Sequence, residues 1–259
     1  MQLFQELWEA FNDIHFEEVG HKYTDSIGTK YTSVTTFISK FESDKDWDLI
    51  AEKAIKNNKD GKYTGKTVAE VRADWKYAGD YACNLGTYVH SVMELGWQNK
   101  EAYADINVLE KFPGMKEDYE WRKNKAKKII ETLKERYIPI KNEFIVYDKD
   151  WQLVGTIDML AYNYKTKQYA IIDWKTSKKF EHTNRFQKMK YPFETEDDCN
   201  CNHYSLQLST YKAILEKHCP SIKISEMFLV QIPNKETSIS EVYFCKDYSN
   251  KIKDYLNSL

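Results

Sequence analysis

The sequence predicts an α/β (α+β) chain: a central mixed β-sheet flanked by helices on both sides, with a mainly helical amino-terminal portion. Three observations predict it. Two β-branched-rich runs, Leu153 to Tyr162 and Gln168 to Trp174, are separated by the polar turn Tyr164-Lys165-Thr166-Lys167, the pattern of an antiparallel hairpin. Long stretches before it, Asp44 to Trp97 and Gly114 to Tyr137, carry helical periodicity. Shorter apolar runs, Asn142 to Asp148, Met227 to Ile232 and Ile239 to Phe244, supply further strands around the hairpin.

No Gly, Ser or Pro-rich linker divides the 259 residues, so they read as a single domain, 1–259, with a helical portion over 1–137 and a sheet-rich core over 138–259. Hydrophobic content of 42% with 15% aromatic is ample for a core and excludes a disordered chain. The formal charge of -2 excludes a broadly basic surface, so phosphate binding would need a local patch. No apolar run is long enough to cross a bilayer, and MQLFQELWEAFND lacks the basic start of an export signal. A cytoplasmic protein with no membrane partner is expected. The five cysteines are odd in number and scattered, which argues for reduced thiols.

Taken in order, residues 1–12 read as a helix, and His15 to Thr36 as short strands around Asp25-Ser26-Ile27-Gly28. The hydroxyls of Ser33, Thr35 and Thr36 read as sheet formers before phosphate contacts. Helices follow near 46–57 and 67–80, then one carrying His90. His90 and Glu94 are four apart and share a helical face. In the helix after Gly114, the run from Arg122 to Lys128 reads as a solvated face paired with Glu117, Glu120 and Glu131; its functional alternative is a phosphate track. After the hairpin, Thr176 to Tyr204 is irregular and basic until the acidic Glu194 to Asp198, and a segment this long is expected to be functional. A helix over Gln207 to Glu216, two strands, and a terminal helix from about Lys246 complete the chain.

Chemistry concentrates in the hairpin. Asp158 and Asp173 each interrupt a run that otherwise asks for burial, and Asp173 shares a strand face with Lys175. Asp158 reaches that face if Gly155 permits a bulge or bend. Two carboxylates with one ammonium on a half-buried surface repel each other unless a cation joins them, which points to a divalent metal.

Four pieces in order, Gly86-Thr87-Tyr88-Val89-His90 with Glu94, Gly155-Thr156-Ile157-Asp158, Asp173-Trp174-Lys175-Thr176 and Gln207-Leu208-Ser209-Thr210-Tyr211, resemble the motifs of the PD-(D/E)XK nuclease superfamily, in its RecB-like branch. The segment with His21-Lys22-Tyr23 and Ser33 to Thr36 is similar to the amino-terminal portion of some phage and mitochondrial exonucleases. The resemblance implies a restriction-endonuclease-like catalytic core over 138–259. It implies that Asp158, Asp173 and Lys175 are catalytic, and that His90, Asp158, Asp173 and the Trp174 carbonyl hold one or two magnesium or manganese ions. Glu94 would bridge through water, and Glu143 would face the metal side. Lys175 would orient the attacking water, stabilise the transition state or act as a base. Gln207, Tyr211, Thr176 and Lys178 would contact nucleic acid, and Tyr191, Phe193 and Tyr204 would either stack unpaired bases or form the loop's own core.

The implied activity is a metal-dependent DNA exonuclease preferring single-stranded ends, of the phage-encoded kind, in recombination, repair or genome processing, with DNA as substrate and a helicase or recombination protein as a further partner. The alternatives are a structure-specific endonuclease and a non-catalytic nucleic-acid-binding module that keeps the fold. Some RecB-like relatives hold an iron-sulfur cluster with one cysteine before the His motif and three after the Gln-x-x-x-Tyr motif. Here Cys83 fits the first place, but only Cys219 and Cys245 follow Tyr211, and Cys199 and Cys201 precede it, so no cluster is expected.

Overall fold

The computed structural model describes residues 2–17, 20 and 22–259, with backbone only for Gln2 and Phe4. His21 lies outside the described residues. Helix α1 (Gln2–Ala10) leads into a hairpin of β1 (Ile14–Glu17) and β2 (Lys22–Asp25), and β3 (Thr32–Ser33) runs directly into α2 (Val34–Ser39). That last helix replaces an expected strand end. Ser33 caps it by accepting the Thr36 amide, and the cap overrides the β preference of Val34, Thr35 and Thr36.

After α3 (Trp47–Lys56) comes α4 (Val68–Trp97), opened by a capping box between Thr67 and Glu70. The two helices expected over this stretch are one, since no proline breaks it. Next come α5 (Ile106–Lys111) and α6 (Met115–Lys134). The sheet-rich half holds β4 (Tyr137–Asp148), β5 (Leu153–Asn163), β6 (Gln168–Lys175), α7 (Asn200–His218), β7 (Ile224–Gln231), β8 (Val242–Phe244) and α8 (Ser249–Asn257). Helix α7 starts before the expected Gln207 because Asn200 ties its first turn to the preceding segment, accepting the Glu181 amide and donating to the Lys179 carbonyl. Its polar opening, Asn200-Cys201-Asn202-His203, hides the helix from hydrophobic periodicity.

Among the described residues the main sheet has six strands in the order β3-β5-β6-β7-β8, with β4 also on β5. It is mixed: β5 is antiparallel to β4 and β6, while β6 and β7 run parallel through the α7 crossover. One edge of β5 is covered by β4. The other is shared, with β3 at Leu153 and Val154 and β6 only from Met159 onward. The stretch 155–158 therefore has no ladder partner on that edge.

Two apolar layers clamp the sheet. Ile171 faces the layer with α2, α7 and α8, through Phe37, Leu206, Ile214 and Ile252. Ala170, Ile172 and Trp174 face the layer with α4 and α6, through Val89, Val92, Met93 and Ile130. Strand alternation thus divides β6 between two cores. Burying each of these large side chains stabilises by roughly 1.5–3 kcal/mol. Among the described residues no helix is long and apolar enough to cross a membrane.

Candidate metal centre

Asp158 and Asp173 come together because β5 and β6 part, without any bulge at Gly155. The last ladder pair is Met159 with Ile172; beyond it the Trp174 amide donates to Asp158 Oδ2 at 2.8 Å, replacing the backbone bond that the ladder drops. Gly155 pairs regularly with Val146, so the expected bulge is not there. Its missing side chain serves another contact. The Tyr211 ring lies on Gly155, where a Cβ would collide with Tyr211 Cε1. The glycine of one motif therefore exists to seat the tyrosine of another.

Asp158 and Asp173 are 9% and 2% exposed. Lys175 Nζ lies 2.5 Å from Asp173 Oδ2, and its ammonium sits 4.6 Å from the centre of the Tyr204 ring. Burial first, then the like charge of Asp158, pushes the Asp173 carboxyl up against the pull of Lys175 and His90. Burial works against the Lys175 charge, but Asp173 and Asp158 outweigh it and hold its pKa above the ordinary lysine value.

From the other side, α4 delivers His90, anchored by its buried neighbours Val89, Val92 and Met93. His90 Nδ1 is 3.4 Å from Asp158 Oδ2. Glu143 completes the group. It stands between Asn142 and Phe144, which pair with Met159 and Ile157, so it faces Asp158 across the ladder. Its φ of 45° is left-handed, an unusual backbone for a glutamate in a strand. The side chain is exposed on one side and crowded on the other: desolvation first, then Asp158, Glu94 and Asp173, push its carboxyl up to about 8.

One donor atom each from His90, Glu143 and Asp158 lie within 4.8 Å of one another. Two carboxylates and an imidazole suit magnesium or manganese, and the crowding that raises Glu143 is what a cation there would relieve. Asp173 stands beside this trio with its carboxylate engaged by Lys175. Glu94, one turn beyond His90, lines the same 460 Å³ cavity as His90 and Glu143. A second cavity of 510 Å³ continues from Thr87 and Glu143 past Ser33, Thr35, Thr156 and Tyr211.

The remaining expected residues scatter around this centre. Gln207 Nε2 donates to the Tyr211 hydroxyl at 3.0 Å, so these two form one unit, with Tyr211 buried at 3% exposure. Lys178 is exposed, while Thr176 is half-buried against Gly86 of α4, whose Cβ position lies 3.5 Å from Thr176 Oγ1. Phe193 is fully buried against Phe41 and Tyr248, so it packs the core and is not available for stacking. Tyr191 is 70% exposed.

Arg122, read with its basic run as a solvated face, is buried. Its Nε donates to Asp118 at 3.0 Å, and its Nη1 donates to the Thr176 carbonyl at 3.1 Å and to the Ile232 carbonyl. It thereby ties the ends of β6 and β7 to α6. The signal was present in the spacing: Met115, Tyr119, Arg122, Ala126 and Ile130 recur at three and four residues and are all buried.

A mixed sheet whose central hairpin opens over two aspartates and a lysine, beside an imidazole and a further carboxylate, defines a phosphodiester-hydrolysing nuclease. The chain belongs to the PD-(D/E)XK nuclease superfamily, whose family model matches residues 62–259. No curated protein sequence matches it.

Proposed function

We propose that the protein is a magnesium- or manganese-dependent deoxyribonuclease of the RecB-like branch, acting as an exonuclease with a preference for single-stranded ends. The observation that carries the metal dependence is the convergence of His90, Glu143 and Asp158 donors within 4.8 Å, beside the Asp173–Lys175 pair. Those three residues would hold the ion, with Asp173 and the Trp174 carbonyl as further ligands and Glu94 reaching it through water. Bound there, a divalent ion supplies a water of lowered pKa and positive charge against the phosphate oxygens.

The chain's own groups do the rest. Lys175, held by Asp173 and kept protonated, places fixed positive charge where negative charge grows on the phosphate, in a site dry enough for it to count. The Tyr211–Gln207 unit, seated on Gly155, fixes the strand that carries Asp158 and orders the wall of the adjoining cavity. Thr176 and Lys178, one and three residues after Lys175, would hold the substrate backbone.

The end-directed reading is supported by the wall on the Lys175 side. Tyr204 covers the ammonium, and the segment before it is tied down: the Lys190 amide donates to the Phe41 carbonyl at 2.7 Å, and Asp198 accepts the Ser43 amide at 2.8 Å. A competing, endonucleolytic reading is favoured by cavities on both sides of the α4 segment that carries His90, which leave room for a strand to continue past the cut. Linear and closed circular single-stranded DNA of one sequence, compared in manganese, separate the two. Cleavage confined to the linear form is expected; equal rates on both would establish the endonuclease.

A further inference from the structure

A cavity of 480 Å³ opens along α4 beside the metal centre, and Thr176 and Lys178 stand on its wall. One wall is apolar and aromatic, from Tyr77, Tyr81 and Leu85 of α4 and from Pro113. The facing wall is Thr176, Ser177 and Lys178, the three residues that follow Lys175. Ala82 lines both this cavity and the one containing His90 and Glu143, so the two adjoin along α4.

The aromatic wall is built. The Tyr77 and Tyr81 rings both rest on Phe112, with centroids 5.2 Å and 5.9 Å away, and the Tyr81 hydroxyl donates to Asp118 at 3.3 Å. Asp118 in turn accepts from buried Arg122, which grips the Thr176 carbonyl, so one network fixes both walls. Tyr77 still keeps 49% of its surface open.

Charge orients what can enter. Inside, buried Arg122 balances Asp118, and with Glu236 the lining keeps no spare positive charge for an anion. At the mouth, Lys178 is exposed, and its ammonium has no ion pair or hydrogen bond among the described residues. A ligand with a flat neutral part and an attached phosphate fits this division: the neutral part inside, the phosphate at Lys178.

We propose that this cavity is a subsite for one unpaired nucleobase of the strand being cut, stacked on Tyr77 and Tyr81 with its phosphate at Lys178. The assignment rests on the nuclease reading and adds to it a position at which an intact base is required. Stacking on aromatic side chains is sequence-tolerant, so the subsite selects single-stranded over paired DNA without selecting a sequence.

The test is an abasic scan. Full-length protein is titrated in calcium with a fluorescent single-stranded oligonucleotide, and with versions carrying one abasic nucleotide at successive positions. One position should lower affinity by on the order of tenfold, and Tyr77→Ala should weaken the intact oligonucleotide similarly and flatten the scan. Lys178→Ala, at an exposed site that does not threaten folding, should reduce the slope of log affinity against log salt by about 0.7. A flat scan in the wild type, a dip that survives Tyr77→Ala, or an unchanged salt slope in Lys178→Ala overturns the subsite. Cleavage by the wild type in manganese is measured alongside: its absence with a localised dip removes the nuclease reading alone, and its presence with a flat scan removes the subsite alone.

Discussion

Tyr211 lies on the bare backbone of Gly155, so close that a side chain at 155 would intrude on its ring. Two motifs 56 residues apart in the chain are thus one packing contact beneath the site. Gly155→Ala is expected to destabilise the protein by roughly 1–3 kcal/mol through overpacking, read as a lower denaturation midpoint. Tyr211→Leu in the same chain should recover part of the loss, a coupling seen in a double-mutant cycle. A Gly155→Ala protein of unchanged stability would contradict the contact.

Lys175 touches Asp173 and stands outside the trio of metal donors. Lys175→Ala should therefore lower turnover by about 10²–10³ while manganese binding, followed by calorimetry, persists. Metal affinity collapsing together with activity would show that Lys175 acts through the ion site.

Asp148 offers a pH test remote from that site. It is fully buried; burial alone would raise its pKa, but hydrogen bonds from His218, Lys217 and the Trp151 amide hold it at about 2, below the ordinary 3.8. A depressed carboxyl contributes stability above its unfolded pKa and loses it as the pH falls through the folded one. Asp148→Asn should cost about 2 kcal/mol at pH 7, and that gap should close between about pH 4 and 2. Urea midpoints across this range measure it, and a gap independent of pH would reject the assignment.

Hairpin, helices and the Asp158, Asp173 and Lys175 pattern were legible because strand alternation exposes a misplaced carboxylate. Glu143 was only faintly so. Its place opposite Asp158 depends on the β4–β5 register and on a left-handed φ, neither of which has a local sequence signal. Arg122 was hidden by its lysine neighbours, although its spacing with Tyr119 and Ala126 marked a buried face. Gly155 was read as a source of freedom, whereas its use is the absence of a side chain. Long-range contacts of this kind leave the residue type in the sequence but not the reason for it.

The central claim is that Asp158, with His90 and Glu143, forms a divalent-metal site that drives phosphodiester cleavage. The most direct measurement is hydrolysis of end-labelled single-stranded DNA by purified wild type and Asp158→Asn, with magnesium or manganese and with chelator, after matching thermal unfolding shows both are folded. Cleavage by the wild type only with metal, and none by Asp158→Asn, is the predicted result. Cleavage that persists in chelator, or at the wild-type rate in Asp158→Asn, would contradict the account.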